Sequence, residues 1–188
     1  MDFQPEKNGR AATSSRSRTF DGYKLGMLHD AKKIILIAAA ALLVLSLIFG
    51  VSQVDGVSML DTLHSGELVF YTRVNPFGYH KDDIISIRLP SGEFYIKRIV
   101  ATAGDTIDLR DGVLYVNGTA ETGSFIRNET LPEQGSVTYP FTVSEGNVFA
   151  LGDNRRESVD SRAFGQVNTR QIKGIVRFSV GSFFVHFH

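Results

Sequence analysis

The chain has 188 residues, enough for one modest globular domain with appendages and too few for two large ones. Twenty Lys plus Arg balance twenty Asp plus Glu, so no excess of positive charge points to nucleic acid as a partner. Cysteine is absent, which excludes disulfides and thiolate metal sites, and His29, His64, His80, His186 and His188 form no HExxH-type cluster, so neither a metal nor a cofactor is expected.

Residues 1–33 are polar and rich in Ser, Arg and Lys, and Met1 to about Phe20 reads as a disordered cytoplasmic tail. A short amphipathic lead-in helix is predicted over Tyr23 to Asp30. Residues 34–51, IILIAAAALLVLSLIFGV, hold no charge. As a helix they would extend about 27 Å, close to the hydrocarbon thickness of a bilayer. A buried helix of a soluble protein would show a polar face, and a cleaved leader would have a shorter apolar run followed by a small-x-small site. The segment therefore reads as an uncleaved transmembrane signal-anchor. Arg16, Arg18, Lys24, Lys32 and Lys33 precede it, whereas no Lys or Arg follows until Arg73. The positive-inside rule then puts the N-terminus in the cytoplasm and residues 52–188 outside, on a single-pass protein of the cell membrane in contact with lipid.

Residues 52–188 are predicted to be mainly β, a compact antiparallel domain. Strands are expected at Glu67–Arg73, Asp83–Leu89, Glu93–Ala101, Thr106–Arg110, Val113–Val116, Asn147–Leu151 and Ile172–Val185, all rich in Val, Ile, Phe and Tyr. Asp111-Gly112 and Asn117-Gly118 flank VLYV and predict tight hairpin turns. A looser inserted subdomain is expected over about residues 110–146.

Three segments carry residues suited to chemistry. Ser58 lies seven residues beyond Val51, in a Gly-containing loop, and so within roughly 25 Å of the end of the span. In EFYIKRIV, alternation puts Tyr95, Lys97 and Ile99 on one face and Phe94, Ile96 and Arg98 on the other. Two adjacent cations on an apolar strand cannot share one solvent face, so one is expected to be buried or paired. A buried lysine can lose its charge and serve as a base for a serine hydroxyl; bringing its pKa from about 10.4 to near 7 takes roughly 4 kcal/mol, within reach of desolvation. The third segment, GDNRRESVDSRAFG at 152–165, mixes Asp153, Arg155, Asp160 and Arg162 with Ser158.

In order behind an apolar anchor, GVSMLDTL, YIKRIVATAGD and ALGDNRRESVDSR resemble the serine, lysine and GDN-x-x-x-S-x-DSR boxes of the bacterial type I signal peptidases, the Ser–Lys branch of the S26 peptidases. The resemblance covers roughly residues 30 to 187. It implies a signal-peptidase-like antiparallel β fold and a membrane-bound serine endopeptidase that cleaves signal peptides after a small-x-small motif, with no cofactor. Its substrates would be signal-peptide-bearing precursors, which makes the secretion translocon a candidate neighbour. It further implies that Ser58 is the acyl-forming nucleophile, Lys97 the general base, and Ser158 the group that orients the lysine amine. The Ser58 backbone N–H would contribute to the oxyanion hole. Asp153, Arg155, Asp160 and Arg162 would support the site. Two positions depart from the pattern: Asp61 stands where proline is common, and Gly56 where some members carry a hydroxyl residue. The alternatives are a non-catalytic relative that assists assembly of a secreted or pilus subunit, and a self-cleaving Ser–Lys regulator. The retained dyad disfavours the first, and the membrane span disfavours the second.

Overall fold

The computed structural model describes residues 13–133 and 137–181, with the backbone alone at 13–26 and 28. The N-terminal unit is one helix, α1 (Thr13–Ile48). Within it, His29–Ile48 is long and apolar enough to cross a membrane, with a mean hydropathy of 2.3. The helix overrides two expectations. It starts at Thr13, so residues 13–20 are helical rather than part of the expected tail, and Tyr23–Asp30 belongs to the same helix. Once an apolar helix is nucleated, each further residue adds a hydrogen bond at little cost. Residues 1–12 lie outside the described residues.

The second unit begins with a correction. The apolar run does not stay helical to Val51: Phe49–Gln53 is a strand, β1, paired antiparallel with β2 (Leu68–Thr72) from Phe49↔Thr72 to Gln53↔Leu68. A short apolar run suits strand or helix equally, and only the partner strand decides.

Nine more strands follow: β3 (Ile84–Arg88), β4 (Phe94–Thr102), β5 (Thr106–Arg110), β6 (Val113–Val116), β7 (Thr119–Ala120), β8 (Phe141–Thr142), β9 (Asn147–Leu151), β10 (Val167–Asn168) and β11 (Ile172–Val180). They form a seven-stranded sheet, β1-β2-β11-β3-β4-β9-β10, and a four-stranded sheet, β7-β6-β5-β8. Every pairing between these strands is antiparallel, and one isolated parallel bridge joins Arg127 to Asn154. The last strand ends at Val180; residues 182–188, including Phe183, Phe184, His186, Phe187 and His188, lie outside the described residues.

The second sheet spans the expected insertion and takes β5 with it. Its hairpins turn on Asp111-Gly112 and Asn117-Gly118, all four at positive φ. Such turns match the twist of the flanking strands, and Asn, Asp and Gly tolerate the left-handed backbone they need. Ile107, Leu114 and Val143 pack with Val100, Phe149 and Leu151 of β4 and β9, so the two sheets share a core. A separate cluster of Ile85, Ile87, Ile99, Ala150 and Ile175 fills another part of the large sheet, and Val54, Met59, Leu63 and Val69 anchor the loop after β1.

Candidate active site

β4 carries the site because it is paired unevenly. β3 flanks it from Phe94 to Arg98, but β9 pairs only with Arg98–Thr102, after which the chain leaves the sheet at Gly152. Among the described residues the first half of β4 therefore has an open edge. Ile99 bonds through both its N–H and its C=O to Asp83 and Asp82, and Glu93 O accepts from Leu89 N–H. Alternation along the strand then turns the amides of Phe94 and Ile96 toward the open side. A groove of about 650 Å³ runs here, lined by Val54, Gly56, Ser58, Phe94, Ile96 and Lys97 among others.

Ser58 and Lys97, 39 residues apart, meet in this groove. Lys97 Nζ donates to Ser58 Oγ at 2.7 Å. The lysine is 1% exposed, and Nζ also lies 5.3 Å from the centre of the Tyr95 ring. Burial lowers its pKa from 10.5 to about 8; Asp160, Asp153 and Glu133 oppose the shift and Arg162 assists it. None of those carboxylates forms an ion pair with the amine. Desolvation without a carboxylate partner favours the neutral form. Neutral Nζ has a lone pair, so the same contact can reverse and accept the serine proton.

Arg98, on the opposite face, is buried as well. Its Nε and Nη2 bond the two carboxylate oxygens of Asp153 at 2.9 and 2.8 Å, and Thr62 Oγ1 donates to Asp153 at 2.5 Å. The lysine strand, the serine loop and the third segment are thus tied through one buried carboxylate. The expectation that one of the two cations is buried or paired is exceeded: both are buried, and the arginine is the ion-paired one.

The third segment folds as a scaffold around Ser58. Asn154 N–H donates to Ser58 O at 3.0 Å, and Asn154 Nδ2 to Val57 O at 3.1 Å. Gly152 lies so close that an added Cβ would run into Ser158 Oγ and the Ser58 carbonyl. Asp160 holds Arg162 Nε at 2.8 Å and accepts from Gly152 N–H at 3.1 Å. The Arg162 guanidinium in turn caps the carbonyls of Arg155, Ser158 and Leu131. Arg155, 1% exposed, bonds Thr130 Oγ1 and Glu121. The expected supporting residues are therefore all buried and linked.

Ser158 is placed differently from expectation. It is buried beside Gly152, yet its hydroxyl has no hydrogen-bond partner among the described residues, and Lys97 bonds Ser58 instead. A hydroxyl's partner is set by its χ1 well, and in this one Oγ faces Gly152. Asp61 points outward to Arg127 at 2.8 Å and is not among the charges acting on Lys97. Gly56 lies at positive φ, and its N–H donates to Ser65 Oγ at 3.3 Å. Among the described residues no cluster of His, Asp or Glu could hold a metal. Sequence reading passes over Arg98, Thr62 and Asn154 as site residues. For Arg98 the signal was the adjacency of two cations on one apolar strand, whereas Thr62 and Asn154 stand inside the serine and GDN boxes, which gave them no role.

The family model described as "Signal peptidase, peptidase S26" matches residues 27–181. Signal peptidase I S of Bacillus subtilis is 32% identical over 165 residues, covering 82% of this chain and 89% of that protein. Signal peptidase I of Bacillus caldolyticus is 37% identical over 147 residues, with coverages of 70% and 79%. A crystal structure of a signal peptidase I from Enterococcus faecalis aligns at 32% identity and a TM-score of 0.46, over 53% of this chain and 97% of that one. The chain belongs to the signal peptidase family, peptidase S26, and is a serine peptidase of the signal peptidase I type.

Proposed function

We propose that this protein removes N-terminal signal peptides from translocated precursors after a small-x-small motif, through an acyl-enzyme formed on Ser58 with Lys97 as general base. The observation that carries the reading is the 2.7 Å contact between a buried, carboxylate-free lysine amine and a half-buried serine hydroxyl in an open groove.

The chemistry runs in two halves. Ser58 Oγ attacks the scissile carbonyl carbon while its proton passes to Lys97 Nζ. The carbonyl oxygen becomes an oxyanion facing the Ser58 N–H. Collapse breaks the C–N bond, and the proton on Nζ goes to the leaving amine, which departs as the new N-terminus of the mature protein. Water, deprotonated by the neutral lysine, then hydrolyses the ester and frees Ser58. Ser158 carries a buried hydroxyl without a partner among the described residues, an arrangement that costs about 1–3 kcal/mol. Rotation about χ1 is the step we assign it, so that it bonds and orients the lysine amine. Asp153, Arg155, Asp160 and Arg162 hold the frame.

An extended substrate adds to the open half of β4, where the Phe94 and Ile96 amides are free of β9. Small side chains suit the shallow walls between Val54 and Ile96. The charge asymmetry around the apolar helix favours an N-terminus in the cytoplasm and a catalytic domain outside, anchored in the membrane, where precursors emerge.

The test is incubation of detergent-solubilised protein with a panel of precursors, including variants with bulky residues at the small positions. Wild type is expected to release the mature protein from small-x-small precursors alone, with Ser58→Ala and Lys97→Ala folded and inert. Cleavage by Lys97→Ala at the wild-type rate overturns the reading.

A further inference from the structure

The peptide unit that bears the Ser58 N–H is gripped by one residue from outside the serine loop. Asn154 Nδ2 donates to Val57 O at 3.1 Å, alongside Leu60 N–H at 3.2 Å. A trans peptide unit is planar, with C=O and N–H pointing in opposite directions. Anchoring Val57 O on Asn154 therefore fixes where the Ser58 N–H points. That N–H meets no acceptor among the described residues, so it is free for an incoming oxygen. The main-chain bond from Asn154 N–H to Ser58 O pins the next peptide unit, and the nucleophile is held on both sides.

The carboxamide of Asn154 has two ends, and only one of them can donate. Asn128 decides which end faces Val57: its Nδ2 donates to Asn154 Oδ1 at 3.0 Å, so the amide nitrogen is left for Val57 O. Asn128 sits at φ 70°, a conformation asparagine tolerates, in the stretch that follows β7. Its neighbour Arg127 locks the same stretch to the third segment, donating to Asp153 O at 2.8 Å and accepting from Arg155 N–H at 3.0 Å.

We infer that Asn154 is a positioning residue for the oxyanion donor, and that Asn128, contributed by the inserted subdomain, sets the direction in which its carboxamide faces. The inference rests on the acyl-transfer role proposed above for Ser58. Asn128→Asp puts an acceptor where a donor stood, so that Asn154 must either turn Oδ1 onto Val57 O or face a carboxylate. Asn128→Gly removes the donor in a backbone glycine accepts. Asn154→Asp keeps the shape and removes the donor to Val57.

Removal of a complete oxyanion donor costs roughly 10²–10³ in kcat, so a misaimed one is expected to cost about 10–100-fold, with KM within about twofold of wild type. Affinity for a substrate-derived peptide aldehyde, whose adduct with Ser58 carries the oxyanion, is expected to fall in proportion to kcat. Asn128 is exposed, so its variants are expected to stay folded with only a small fall in melting temperature, and they carry the test even if Asn154→Asp fails to fold. The inference is overturned if the Asn128 variants retain kcat within about twofold, or if kcat falls while aldehyde affinity does not. Ser58→Ala in the same assay separates the two ideas. Activity in that variant sinks the Ser58 reading itself, whereas an inert Ser58→Ala beside fully active asparagine variants sinks only this one.

Discussion

Lys97 and Arg98 are consecutive on β4, both cationic in water and both nearly closed to it, and they are treated in opposite ways. Arg98 lies where β9 still pairs, and it receives the two oxygens of Asp153 and the face of Phe125 at 4.0 Å from the ring centre. Lys97 lies where the edge of β4 opens, and it receives a hydroxyl and an aromatic ring. Similar burial thus leaves an ion-paired guanidinium at one residue and an amine of lowered pKa at the next. The partner decides, and the partner follows from where β9 stops. A buried ion pair fixes structure, whereas a buried amine without a carboxylate is available for proton transfer.

The contrast is broken most severely by Lys97→Arg, which keeps the charge and cannot lose it. Arginine is not a base at accessible pH, so kcat/KM is expected to fall by about 10⁴-fold or more with the β domain still folded, read by precursor cleavage and circular dichroism. Next comes Asp153→Ala, which strips the carboxylate from Arg98 and leaves its guanidinium buried and unpaired. A loss of about 3–5 kcal/mol in unfolding free energy is expected, measured by denaturant titration.

The pH dependence sharpens the same comparison. In the mechanism proposed above the active form is the neutral amine, whose pKa burial lowers to about 8. Activity is expected to rise tenfold per pH unit up to that value and then level, so that pH 6 and the plateau differ by about 10²-fold. The sign for stability agrees. Between the folded value of about 8 and the ordinary 10.5, the unfolded lysine binds a proton that the folded one does not. Stability from this group therefore increases with pH across that window. Lys97→Met should abolish both slopes. The smallest effect is expected from Asp61→Ala. Its pair with Arg127 is exposed, so stability should change by less than about 1 kcal/mol and cleavage should stay near wild type.

Much of this was legible in order along the chain. Period-two alternation identifies β4 and places Lys97 and Arg98 on opposite faces, and the Asp-Gly and Asn-Gly dipeptides locate the hairpins of the second sheet. The apolar run predicts its helix but not its end, because Phe49–Gln53 becomes a strand only through pairing with Leu68–Thr72. The three boxes point to Ser58, Lys97 and the acidic and basic residues of 152–165. They contain Thr62 and Asn154 without revealing what either holds, and they do not reach Asn128, since a threonine or asparagine in a loop has no pattern that distinguishes a solvated side chain from a clamp. The resemblance implied a bond between Ser158 and Lys97, and the rotamer that the folded site adopts does not make it.

Local chemistry, written in the order of residues, determined a long apolar helix, a β-rich remainder and a serine and a lysine set in motifs of one peptidase family. Periodicity and turn propensity act over a few residues, so the linear chain contains them. The contact of Ser58 with Lys97 across 39 residues and that of Arg98 with Asp153 across 55 were decided only when the strands paired. Desolvation and ion pairing depend on what distant segments bring to the same few ångströms, and that is why the state of two neighbouring cations belongs to the fold.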